Sequence, residues 1–213
     1  MVLQISNLLP LYFDNNRKQS SEIWGKDLEM SKGELIKIVA PSGSGKTSLM
    51  HFFYGLRNEY SGNISFDNQL IRDFSPESLS QYRKANVSTV FQDLRLFPDQ
   101  NVLANIEIKR QLNPYHLPER IKDMAERLGI ADKLVSTCRT CSYGEQQRVA
   151  IIRSLMQPFD FLLLDEPFSH LDDNNAKKAM ELMLEEAELR KAAIVFADLE
   201  RVDFFPFQTI YHL

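Results

Sequence analysis

Ala40-Pro41-Ser42-Gly43-Ser44-Gly45-Lys46-Thr47-Ser48 holds the densest chemistry in the chain. Gly43 and Gly45 let the main chain curl so that successive N–H groups converge on an anion, and a helix starting behind them adds the positive end of its dipole. Lys46 is a mobile cation of the kind that reaches β- and γ-phosphates, and Thr47 offers a hydroxyl to Mg²⁺. The spacing is that of a phosphate loop, with Ala40 where a first glycine is usual. A methyl group is tolerated at that position if its φ is negative. The plainer alternative, a Gly/Ser turn with an incidental lysine, leaves the flanking strand and helix patterns unexplained.

A second cluster lies in Phe161-Leu162-Leu163-Leu164-Asp165-Glu166-Pro167. Four apolar residues read as a buried strand, and two carboxylates emerge at its C-terminal end, the edge where ligands bind in open parallel sheets. There Asp165 would hold Mg²⁺ through water and Glu166 would polarise an attacking water, while Pro167 stops the strand. Alone, Asp-Glu-Pro merely ends a strand. Together with the phosphate loop it points to nucleotide hydrolysis with Lys46 and Glu166 at its centre.

Positioning these groups requires a strand, loop and helix in order. Residues 34–39, rich in branched side chains, form the strand. Leu49, Phe52, Phe53 and Leu56 recur at helical spacing behind a helix start near Lys46, and Gly55 is a candidate stop. Residues 3–8, 24–30 and 64–66 read as short strands, with Asp67-Asn68 as a hairpin turn, which makes an N-terminal antiparallel β region. Residues 87–91, 161–164 and 192–197 read as strands covered on both faces. Between residues 94 and 156 helical signals dominate, including an amphipathic stretch over 119–128. The expectation is a single α/β domain with a mainly parallel sheet: a core of about residues 1–92 and 157–213, and an inserted α-helical subdomain over about 93–156.

Cys141-Ser142-Tyr143-Gly144-Glu145-Gln146-Gln147-Arg148-Val149-Ala150 comes between the phosphate loop and the acidic strand. Ser142 followed by Glu145 forms a capping box at the start of an amphipathic helix. In this order of motifs the chain resembles the ATP-binding cassette (ABC) ATPases, a branch of the P-loop NTPases whose signature usually reads Leu-Ser-Gly-Gly-Gln. Ser142 and Gly144 match; Cys141, Tyr143 and Glu145 do not. The resemblance covers essentially the whole chain, and the stretch over residues 91–99 is similar to cassettes serving lipoprotein release and cell division.

The resemblance implies ATP and Mg²⁺ as ligands, with residues 41–48 (Pro41, Ser42, Gly43, Ser44, Gly45, Lys46, Thr47 and Ser48) around the phosphates. It assigns Gln92 to sensing Mg²⁺ and the attacking water and to relaying nucleotide state to a membrane partner. Thr47, Gln92 and Asp165 are then the metal set. Ser142 and Gly144 would face the γ-phosphate of an ATP held by a second cassette, and Asp172, in Ser169-His170-Leu171-Asp172, would reach across that dimer. Tyr12 or Phe13 is the candidate to stack on adenine, although both rings also suit a core role. Membrane permease subunits and a second cassette, identical or not, are the implied partners, and the chain would sit in the cytoplasm on the inner face of the membrane.

Two departures touch the γ-phosphate side. Ala197 stands where the family carries a histidine, and Tyr143 puts a bulky ring in place of a glycine, so slow hydrolysis with ATP binding kept is expected. A degenerate cassette with a regulatory role, or a soluble ABC ATPase outside transport, is the alternative.

Composition narrows the classes. A formal net charge of -4 argues against general affinity for nucleic acid, and no apolar run approaches the ~20 residues of a spanning helix. Met1-Val2-Leu3-Gln4 lacks the marks of a secretion signal. Cys138 and Cys141 have redox or metal spacing, but a zinc site would need a second ligand pair, and two reduced thiols are the simpler account. Lys46 and Ser142 are 142 − 46 = 96 positions apart, too close for the long arm of DNA-repair cassettes. The signature and the lack of an Asn-Lys-x-Asp motif disfavour a small-molecule kinase or GTPase.

Overall fold

The computed structural model describes residues 1–14, 20–199 and 205–213. In chain order, β1 (Val2–Pro10) and β2 (Asp27–Ser31) are followed by β3 (Leu35–Val39), which feeds α1 (Lys46–Phe53). Next come β4 (Tyr60–Phe66), β5 (Gln69–Leu70), α2 (Pro76–Ala85) and β6 (Val87–Val90). Three helices follow: α3 (Val102–Leu112), α4 (Glu119–Arg127) and α5 (Tyr143–Leu155). The chain closes with β7 (Phe161–Asp165), α6 (Asp173–Arg190), β8 (Ala193–Asp198) and β9 (Thr209–His212).

The strands form two sheets. One is antiparallel, in the order β2-β1-β4-β5; the other is parallel, in the order β6-β7-β8-β3-β9. Alternation along the parallel strands builds two cores. Leu162, Leu164, Ile194 and Phe196 face the layer of α3, α4, α5 and α6. Phe161, Leu163, Val195 and Ala197 face α1 and the antiparallel sheet. Both faces are covered, which is why these strands read as unbroken apolar runs.

Asp67 and Asn68 both have positive φ, 48° and 67°, as a type I′ turn requires. Asp67 also accepts a hydrogen bond from the Val2 N–H at 2.8 Å. In the β1–β4 pair the register shifts between Ser6 and Leu9, and a Cβ on Gly62 would lie 2.3 Å from the Asn7 carbonyl oxygen, so only glycine fits. The expected strand over residues 24–30 is corrected: β2 starts at Asp27, because Ile23 and Trp24 form a turn whose side chains drop into the core. That turn is held by the Ser21 hydroxyl, which accepts from the Ile23 and Trp24 N–H groups at 3.1 and 2.8 Å.

A buried ionic network joins the loop before α4 to α6. Glu186, fully buried, contacts His116 Nε2 at 2.5 Å and accepts from Arg120 Nη2 at 2.9 Å and Arg190 Nη1 at 2.6 Å. Arg190 also donates to the Leu155 carbonyl at 2.8 Å and stacks 3.6 Å from the Tyr115 ring centroid. Burial alone would raise the Glu186 pKa, but the bonds from His116, Arg190 and Arg120 bring it down to about 2.

Candidate functional site

Parallel pairing places the C-terminal ends of β3, β6, β7 and β8 at one edge of the sheet. The loop after β3 runs over residues 40–45, and Gly45, at φ 100°, is the N-cap of α1. A Cβ there would meet the Phe13 and Trp24 rings at 3.1 and 3.0 Å. Glycine is needed at that point both for its dihedral and for the aromatic floor beneath it. The Trp24 indole N–H donates to the Ser44 carbonyl at 3.2 Å, and the Ser44 hydroxyl donates to the Pro41 carbonyl at 2.7 Å. The loop is thus braced from below and within itself.

Lys46 is buried. Its ammonium donates to the Ala40 and Pro41 carbonyls at 2.8 and 3.2 Å and lies 3.3 Å from Glu166 Oε1. The Thr47 hydroxyl donates to Gln92 Oε1 at 3.3 Å, and Gln92 Nε2 donates to Glu166 Oε2 at 3.4 Å. Gln92, just beyond β6, therefore spans from the phosphate loop to the acidic strand end. Tyr12, Phe13, Ser42, Gly43, Gly45, Lys46, Thr47, Ser48, Gln92 and Glu166 line one cavity of about 300 Å³. Tyr12 donates its phenol proton to Ser48 Oγ, and the Arg57 guanidinium lies 5.7 Å from the Tyr12 ring.

Asp165 lies behind this cavity, 1% exposed, and neither carboxylate oxygen has a hydrogen-bond partner. Burial pushes its pKa up to about 6; the Thr47 hydroxyl pulls the other way without forming a well-aligned bond, and the Glu166 carboxylate adds to the rise. An orphaned buried carboxylate next to a hydroxyl and an amide oxygen is a set of hard oxygen donors suited to Mg²⁺. Among the described residues no three His, Cys, Asp or Glu side chains gather to cage a metal alone. One carboxylate completed by substrate phosphates is how Mg²⁺ is commonly bound.

Glu166 has a left-handed main chain, φ 47°, and its N–H donates to the Ala197 carbonyl at 2.9 Å. Such a dihedral is uncommon outside glycine and clusters at functional positions. Ala197 itself is fully buried at the end of β8, with its side chain in the α1-facing core.

Ser142, Gly144 and Asp172 do not line the cavity. Ser142 and Glu145 form the expected capping box, with the Ser142 N–H donating to Glu145 Oε2 at 2.7 Å and the Glu145 N–H to Ser142 Oγ at 3.3 Å. Asp172 caps α6 by accepting from the Asn175 N–H at 2.9 Å. A Cβ on Gly144 would come within 2.9 Å of the His170 carbonyl, so the start of α5 and the loop after Glu166 are in close contact. Cys138 and Cys141 are free, buried thiols just before α5, and burial pushes both pKa values up.

Gln147 escaped the sequence reading. Its amide donates to the Glu166 carbonyl at 3.3 Å and the Ser169 hydroxyl at 3.4 Å and accepts from the His170 N–H at 3.1 Å. Trp24 escaped it too, although a lone tryptophan close to a phosphate loop was the available signal.

A family model described as ABC transporter matches residues 25–169, more than half of the chain. The chain belongs to the ABC transporter family. Within that family it is an ATPase cassette, with a P-loop NTPase fold of parallel and antiparallel sheets. It is 32% identical over 189 residues to the lipoprotein-releasing system ATP-binding protein LolD of Buchnera aphidicola, covering 87% of this chain and 82% of that one. It is 33% identical over 187 residues to the macrolide export ATP-binding/permease protein MacB of Nitrosomonas europaea, covering 86% of this chain but 28% of that protein. A dimeric bacterial ABC transporter cassette superposes with a TM-score of 0.80 at 23% identity, over 93% of this chain and 88% of that one, a likeness of fold. Among the described residues no helix of this cassette is long and apolar enough to cross a membrane.

Proposed function

We propose that this cassette binds and hydrolyses Mg-ATP between two cassettes and so drives membrane permease subunits, from a peripheral position on the inner face of the membrane. The observation that carries the reading is the convergence of Lys46, Thr47, Gln92 and Glu166 on one cavity, with the partnerless Asp165 behind it. The relatives named for lipoprotein release and macrolide export support the transport part, and the cargo is set by the permease.

In this reading the main-chain amides of residues 43–47 and the Lys46 ammonium take the β- and γ-phosphates, with adenine against Tyr12 or Phe13. Thr47, Gln92 and Asp165 would hold Mg²⁺, whose chemistry is to neutralise charge on the phosphate oxygens. The γ-phosphate competes with Glu166 for Lys46, so substrate binding releases Glu166 from its ion pair to accept the proton of the attacking water. The Gln92 amide, bonded to both Thr47 and Glu166, orients that water. Ser142 and Gly144 at the start of α5, and Asp172, complete the site of a facing cassette.

Ala197, in place of a γ-phosphate donor, keeps turnover slow. Restoring the group by Ala197→His in a variant verified as folded raises kcat; unchanged turnover removes that part. The main test is light scattering of the Glu166→Gln chain. An ATP-dependent dimer supports a complete site between two copies, a persistent monomer with bound ATP means a different cassette as partner, and absence of nucleotide uptake at millimolar Mg-ATP defeats the reading.

A further inference from the structure

A circuit of contacts closes around the carboxylate end of β7. The Tyr143 hydroxyl donates to the Gln92 carbonyl at 3.2 Å, and the Tyr143 ring lies 4.1 Å from the His170 ring. The His170 N–H donates to Gln147 Oε1 at 3.1 Å, Gln147 Nε2 donates to the Glu166 carbonyl at 3.3 Å, and Gln92 Nε2 returns to Glu166 Oε2 at 3.4 Å. Tyr143 and Gln147 are one helical turn apart on α5, so a single rigid element holds both the loop after β6 and the loop after β7.

The loop after β6 needs such holding. Leu94 and Arg95 are consecutive left-handed residues, φ 55° and 48°, a conformation that side chains disfavour. Arg153, near the far end of α5, donates to both of their carbonyls, at 2.5 and 2.7 Å. Tyr143 secures the near side of the loop, at Gln92 itself. The capping box at Ser142 keeps the first turn of α5 from fraying and so fixes where the phenol sits. The bulky ring expected to crowd a phosphate is engaged with this chain's own loops.

We propose that Tyr143 is a positioning residue for hydrolysis: its hydroxyl fixes the main chain of Gln92 and its ring fixes the loop behind Glu166, so that the Gln92 amide stays between Thr47 and Glu166. This rests on the roles proposed above for Gln92 and Glu166. The Gln92 side-chain bonds, at 3.3 and 3.4 Å, are long and orient only if the main chain beneath them is fixed.

The test compares the wild-type chain with Tyr143→Phe and Tyr143→Ala. It uses ATP turnover, titration with a fluorescent ATP analogue, and amide hydrogen exchange over residues 91–97. Tyr143→Phe lowers kcat by about threefold to tenfold, the size of one hydrogen bond, while KM and the analogue Kd stay within about a factor of two. Exchange in the loop speeds up by about the same factor, and exchange in α1 and β7 does not change. Tyr143→Ala, which also loses the ring contact, has the larger effect. A wild-type chain that takes up no analogue defeats the functional reading. Where the wild type does bind, unchanged loop exchange and unchanged kcat in Tyr143→Phe overturn the role of Tyr143, as does a fall in affinity matching the fall in kcat. If the isolated wild type binds but turns over too slowly to measure, loop exchange alone decides.

Discussion

Two carboxylates in this cassette are equally hidden from water and opposite in everything else. Glu186, 0% exposed, is held by His116, Arg120 and Arg190 and has its pKa drawn down to about 2. Asp165, 1% exposed, has no hydrogen-bond partner and is pushed up to about 6. Burial raises both; partners decide the outcome. A saturated buried charge braces helices, whereas an unsatisfied one at a strand end costs stability, a cost that the proposed Mg²⁺ ligation by Asp165 would offset.

The contrast breaks most visibly at Glu186. Glu186→Ala leaves three cationic or polar partners facing a void and destabilises the chain by about 3–5 kcal/mol in urea titration, with ATP-analogue affinity unchanged in whatever fraction stays folded. Acid acts on the same group: its contribution is present above the unfolded value of 4.5 and is lost as pH falls through about 2. Glu166→Gln works in the other direction, cutting turnover by about 10²-fold or more while the melting temperature stays within a few degrees.

Asp165→Asn sharpens the comparison further. The raised pKa means that Asp165 favours the fold below 3.8 and that this contribution is lost as pH rises through about 6. The amide removes a penalty of up to about 3 kcal/mol, so the variant melts higher than wild type at pH 8, with the gain vanishing near pH 4, while the Mg²⁺ dependence of ATP binding is lost. A variant that is less stable at pH 8 would end the idea that Asp165 is carried at a cost. The smallest effect is at Ser142→Ala, which opens the capping box and costs about 1 kcal/mol in thermal or urea unfolding.

The same contrast explains what the sequence made legible. The phosphate loop, the Asp165-Glu166 strand end, the Ser142–Glu145 box and the Asp67-Asn68 turn are local: each is a residue type at a fixed short spacing whose physics is complete within a few positions. The Glu186 network was invisible because its members come from three separate segments. Tyr143 and Gln147 act by bonding main-chain groups far along the chain, and a carbonyl partner leaves no trace in residue type. Trp24 has a strand-like pattern although it lies in a turn, because a buried turn and a buried strand share the same apolar composition. β9 passed unnoticed because its Thr209-Ile210-Tyr211-His212 pattern is too short to stand out, and α6, though long, buries only one face. The parallel sheet itself was readable, since strands covered on both sides have no polar alternation to hide them.

Glu166 combines a left-handed backbone with the carboxylate proposed above to take the proton of the attacking water, directly ahead of Pro167. A redesign guided by thermal tolerance alone would choose Glu166→Gly or Glu166→Asn early, since either relaxes a dihedral worth about 1 kcal/mol or more. On that proposed role, hardiness and turnover pull this single position apart, and libraries of this cassette screened for heat resistance are expected to enrich inactive proteins unless residue 166 is held constant.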